Sequence, residues 1–136
     1  MATLETAVKK DPQAPIPANN LAWLYLEHDD TNISRAFALA QSAYERLPKD
    51  AAVADTLGWA YYKKNHLTQA VWLLEEARSL DPEEPLIHFH LGMVFNAQGN
   101  TNAAQKSLKH ALALNLADPQ REEAERILAD NKGGQK

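Results

Sequence analysis

The sequence predicts an all-α fold, an α-α solenoid of three helical hairpins flanked by a half-repeat helix and a capping helix. Three observations carry this. First, one pattern recurs about every 34 residues. It reads Leu21-Ala22, Tyr25, Ala36, Ala40, Ala43 and Pro48, then Leu57-Gly58, Tyr61, Ala70, Leu74, Ala77 and Asp81-Pro82, then Leu91-Gly92, Phe95, Ala104, Leu108 and Ala111. A fixed period of this length marks stacked supersecondary units. Second, apolar spacing inside each copy is helical, with no β-hairpin signal. Third, Ala22, Gly58 and Gly92 recur mid-way along each first helix, and Ala36, Ala70 and Ala104 recur early on each second helix. Glycine inside a helix costs roughly 1 kcal/mol relative to alanine, so its return at matching places implies a steric need.

The elements follow in order. Helical spacing covers Ile16 to Leu26, Ile33 to Leu47, Val53 to Tyr62, Leu67 to Leu80, Ile87 to Phe95 and Ala103 to Leu116. A last helix is expected from Pro119 to Ala129, with Pro at its first turn and Glu122 and Glu123 suiting the helix dipole. Gly133-Gly134 is expected to end the ordered chain, leaving 131–136 as a disordered tail. His28 to Asn32 forms the first break, with Thr31 or Asn32 able to cap the next helix. Asn65 and Gly99 suit helix ends that turn left-handed. Pro48 and Pro82 stop helices, because proline cannot continue a helix interior. The expected units are residues 15–50, 51–84 and 85–118, with the capping helix over 119–130. Leu4, Ala7 and Asp11-Pro12 match Leu74, Ala77 and Asp81-Pro82, so residues 1–14 read as the second half of a truncated unit. The chain is therefore expected to be a fragment from the end of a longer array. Its first segment is expected to be frayed or paired with a second copy.

With 136 residues and 45% apolar composition, the chain can build a real core. Lack of cysteine excludes disulfides and thiolate metal sites. A net charge of −4 argues against nucleic acid, which needs clustered Lys and Arg. No apolar run approaches the roughly 20 residues of a membrane span, so direct insertion is not expected.

The run Ala54, Leu57-Gly58, Tyr61, Ala70, Leu74 and Pro82 resembles the tetratricopeptide repeat (TPR) family, with Ala54 in place of the leading aromatic. The likeness spans about residues 15 to 118. The first copy has two extra residues near Asp29-Asp30, and the third has Leu116 where Pro is expected. It implies a right-handed TPR superhelix. Asn19-Asn20-Leu21-Ala22-Trp23-Leu24, Asp55-Thr56-Leu57-Gly58-Trp59 and Glu122 to Leu128 are similar to the C-terminal end of bacterial PEP-CTERM-system TPR lipoproteins. That likeness implies the periplasm or cell envelope. Without it, the sequence leaves the compartment open, the cytoplasm included.

In this family the first helices line a concave groove. The resemblance places Asn19, Trp23 and Leu26 there from the first copy, Asp55, Trp59 and Tyr62 from the second, and Phe89, Met93 and Asn96 from the third. Asn20, Thr56 and His90 lie beside them. Such aromatic and apolar side chains would anchor an apolar or helical peptide. The competing reading is that Trp23 and Trp59 complete packing between units. A carboxylate clamp is not expected, because the set holds no Arg, Lys63 is the only nearby Lys, and Asp55 is acidic. His88 and His90 are two apart on a helix and cannot chelate one ion together. His28, His66 and His110 are isolated in sequence. Asp29-Asp30 and Glu83-Glu84 lack the alternating ligand spacing of a calcium loop. Glu75-Glu76 reads as a solvent-facing stripe. Trp72 falls one residue past the inner-facing Val71 and reads as convex and exposed, either incidentally or as a second contact surface. No nucleotide, nucleophile or metalloprotease motif appears. The expectation is a non-catalytic module that binds a protein or peptide, with no cofactor and no metal. The alternative is a structural spacer or self-associating segment of a longer scaffold.

Overall fold

The computed structural model describes residues 2–28 and 30–134, and every regular element among them is helical. The helices are α1 (Ala2–Lys10), α2 (Pro15–His28), α3 (Ile33–Arg46), α4 (Ala51–Lys63), α5 (Leu67–Leu80), α6 (Pro85–Ala97), α7 (Thr101–Ala113) and α8 (Gln120–Gly134). They form two compact units, α1 to α5 and α6 to α8. The first unit holds the hairpins α2/α3 and α4/α5. The second holds α6/α7 and the capping helix.

Local chemistry sets the helix ends. Asp50 accepts from Val53 N at 3.1 Å at the start of α4, and Asn100 Oδ1 accepts from Ala103 N at 3.3 Å at the start of α7. Glu84 accepts from Leu86 N at 3.4 Å at the start of α6. Asn65 and Gly99, 34 positions apart, both have positive φ, 63° and 78°. Behind each, the next amide reaches back to the last turn: His66 N donates to Tyr61 O and Asn100 N to Phe95 O, both at 2.9 Å. Asn115 repeats the device after α7 with φ of 67°. Asn32 stands at the start of α3, but its side chain makes no capping hydrogen bond. A 3-10 turn, Asp30–Asn32, leads into the helix instead. The expected role of Asp29 lies outside the described residues.

The glycine notches are equivalent in the two units. A Cβ at Gly58 would meet Leu74 Cγ at 2.8 Å, and one at Gly92 would meet Leu108 Cγ at 2.6 Å. The backbone oxygens of Ala70 and Ala104 lie 3.4 Å from those same points. Each glycine therefore admits a leucine from the partner helix against the bare backbone, rather than simply facing an alanine. The first hairpin has Ala22 and Ala40 in these two columns, both fully buried. There the volume moves from the second helix to the first.

Two expectations about the ends are corrected. Helix α1 is a formed helix that packs on α2 with Val8 buried, so the expected fraying is not seen, while its expected pairing with a second copy stands as a proposal. Helix α8 starts one residue after Pro119 and runs through Gly133-Gly134, so 131–134 is helix, not a disordered tail. Glycine permits a helix to stop but does not impose a stop.

Candidate functional site

The residues expected in or beside a groove separate by burial. In the first unit, Asn20 is exposed and Trp23 and Tyr62 are half-buried. Asn19, Leu26, Asp55 and Trp59 are buried. Trp59 keeps only 5% of its surface. Its indole stacks on Tyr62, one turn on, at 4.4 Å between centroids, and Lys63 Nζ lies 5.5 Å from its ring. Trp59 is thus a packing residue and not a ready anchor. Asn19 Oδ1 is buried without a hydrogen-bond donor, a state that costs about 1–3 kcal/mol.

In the second unit the expected groove positions are already covered. Phe89 is buried in one cluster with Leu108, Ala124 and Ile127, and Met93 packs against that cluster. Asn131 Nδ2 donates to Asn96 Oδ1 at 3.3 Å. Helix α8 therefore lies where a ligand on Phe89, Met93 and Asn96 would have to lie. His90 is fully buried. His88 is buried too. Its Nε2–H donates to Pro82 O at 2.8 Å, and its ring packs 4.0 Å from that of His110. These imidazoles hold the start of α6 and the α6/α7 contact. No cluster of three or more metal-ligating side chains occurs among the described residues.

An open site does exist, on the other side of the first unit. A cavity of about 450 Å³ lies between α3 and α5 over α4. Helix α3 supplies Gln41, Tyr44 and Glu45, and α5 supplies Thr68, Gln69, Trp72 and Leu73. Leu57 and Tyr61 of α4 complete the lining. Trp72 remains 65% exposed, more than Ile16 and Leu80, the other exposed large apolar side chains among the described residues. That exposure was legible in the helix pattern; the cavity beside it was not.

The walls are held in place. Tyr44 OH donates to Glu76 Oε1 at 2.7 Å, joining α3 to α5. This hydrogen bond, with burial and the nearby carboxylate charge, pushes the Tyr44 phenol up to about 12. Glu76 is therefore not a plain solvent-facing charge, as its sequence setting suggested. Glu75 is, pairing with Arg78 at 3.4 Å in solvent. Tyr61 meets Phe37 edge-on at 4.9 Å. Beyond the Tyr44–Glu76 bond lies a smaller cavity of about 220 Å³, lined by Tyr44, Pro48, Lys49, Glu76 and Leu80. The volume and mostly apolar lining of the larger cavity fall in the range of binding pockets.

Comparison with known proteins agrees with the fold. Residues 86–118 match the tetratricopeptide repeat family. No curated protein matches the chain. A thermophilic TPR protein, TTC0263 of Thermus thermophilus, is 26% identical over 97% of this chain and 71% of its own, with a TM-score of 0.79. YrrB, a TPR protein with an unusual peptide-binding site, is 23% identical over 97% and 66%, with a TM-score of 0.73. MamA of Desulfovibrio magneticus RS-1 is 20% identical over 87% and 66%, with a TM-score of 0.70. The chain spans slightly under two thirds of this and another RS-1 MamA structure, 66% and 63%. The fold is that of a TPR solenoid, with α2/α3, α4/α5 and α6/α7 as its hairpins.

Proposed function

We propose that this chain is a non-catalytic docking module that binds a peptide or protein segment through apolar anchoring on the α3/α5 side of its first unit. The carrying observation is the exposed Trp72 at the mouth of the 450 Å³ cavity. A large exposed aromatic beside a preformed apolar recess is a favourable anchor point, and aromatic anchors dominate binding energies. Rigid helices position it, so little ordering entropy is spent on binding. The TPR fold supports the reading, as does the peptide-binding site named for YrrB. The groove first expected from the helix pattern is a weaker host, because Leu26, Trp59 and Phe89 are buried and α8 covers Met93. Peptide selection from a displayed library tests the proposal. Sequences enriched on the wild type should be lost on Trp72→Ala, whose stability should change by under about 0.5 kcal/mol because the side chain is exposed. Enrichment of the same sequences on both proteins would refute it.

The location suggested by the likeness to envelope TPR lipoproteins remains part of the proposal. Fractionation of cells producing the full-length native protein would decide between envelope and cytoplasm.

A further inference from the structure

We propose that the α3/α5 cavity receives a cationic side chain, Lys or Arg, delivered by the bound segment. This deepens the docking proposal and rests on it. Three aromatic side chains, Tyr44, Tyr61 and Trp72, line the cavity. Among its described lining residues Glu45 alone is charged. Glu76 stands directly behind the Tyr44 hydroxyl and adds a second carboxylate. Aromatic faces attract a cation, and a carboxylate at the rim completes the complementarity.

The nearby cations of this chain are engaged elsewhere. Lys64 Nζ lies 5.0 Å from the Phe37 ring, and Arg78 pairs with Glu75. Lys49 lines the smaller cavity, on the far side of the Tyr44–Glu76 bond. Glu45 has no ion-pair partner among the described residues. Leu57, Leu73 and the Trp72 face would cover the aliphatic stem of a long side chain while its charged head meets Glu45. An acidic segment would instead bring like charge against Glu45 and Glu76. The scaffold already uses this chemistry internally: Arg35 lies over Tyr25 at 5.7 Å and Lys63 over Trp59 at 5.5 Å.

The test titrates two synthetic helical peptides of equal length and identical apolar residues into the isotope-labelled chain. One carries Arg at its variable positions and the other Glu. The Arg peptide should shift the side-chain amides of Gln41 and Gln69 and the Trp72 indole. Its affinity should fall about tenfold in Trp72→Ala and about threefold in Glu45→Gln, and weaken with added salt. Circular dichroism checks that both variants are folded. Equal binding of the two peptides, or no change in Glu45→Gln, overturns the cation assignment and leaves the docking proposal standing. Shifts confined to Asn20 and Trp23 overturn it as well, and move docking to the other face. If neither peptide shifts any resonance, both proposals fall.

Discussion

Replacing Gly92 by alanine should destabilise this protein, although the same change in an open helix stabilises. An alanine Cβ would lie 2.5 Å from Leu108 Cδ2 and 2.6 Å from its Cγ. Ordinary carbon contacts are about 3.5–4.0 Å, so Leu108 must retreat by about 1 Å. It has little room, being fully buried among Phe89, Ala111, Leu116, Ala124 and Ile127. Overpacking of this kind costs about 1–3 kcal/mol. Helix propensity returns about 1 kcal/mol. With contacts this short, the overpacking cost belongs in the upper half of its range, which leaves a net loss of about 1–2 kcal/mol. Gly58→Ala should cost less, since its nearest contacts to Leu74 are 2.8 and 3.1 Å. The first hairpin shows the compensated arrangement, with Ala22 opposite the small Ala40 column. Leu108→Ala alone should cost about 2–5 kcal/mol. Adding Gly92→Ala to it should cost far less than it does alone. Urea unfolding of the wild type, both single variants and the double variant, followed by far-ultraviolet circular dichroism, measures the coupling. A Gly92→Ala protein at least as stable as the wild type, or additivity within about 0.5 kcal/mol, would refute the notch argument.

Two further outcomes follow from the packing. Ile127 of α8 is buried against Phe89 and Leu108, so Ile127→Ala should cost about 2–4 kcal/mol and lower Tm, read by thermal denaturation. Tyr44→Phe removes the bond to Glu76 and should cost about 1 kcal/mol at neutral pH. Because the folded-state phenol titrates near 12, above its usual 10, this contribution is complete below pH 10 and disappears as pH rises towards 12. Urea midpoints of wild type and Tyr44→Phe should therefore converge over that interval. A gap that stays constant would show that the phenol is not held by Glu76.

The residues that specify the hairpins sit in the chain at fixed offsets, and so they were readable. The Gly58–Leu74 and Gly92–Leu108 offsets are identical, as are the left-handed stops at Asn65 and Gly99. Such features depend on neighbours within one repeat, and repetition makes them visible. The Tyr44–Glu76 bond was not legible, because its partners are 32 positions apart, off the repeat, and neither residue type demands the other. Burial of Trp59 and coverage of Phe89, Met93 and Asn96 were hidden for a related reason. A helix pattern says which way a side chain points, but not what lies against it. The repeat pattern by itself determined the helices, the left-handed stops at Asn65 and Gly99 and the close pairing of the hairpins, since these are local steric and hydrogen-bonding requirements. The tertiary structure alone decided that Trp59 is buried and that a cavity opens beside the exposed Trp72, because what lies against a side chain is set by how the neighbouring helices pack.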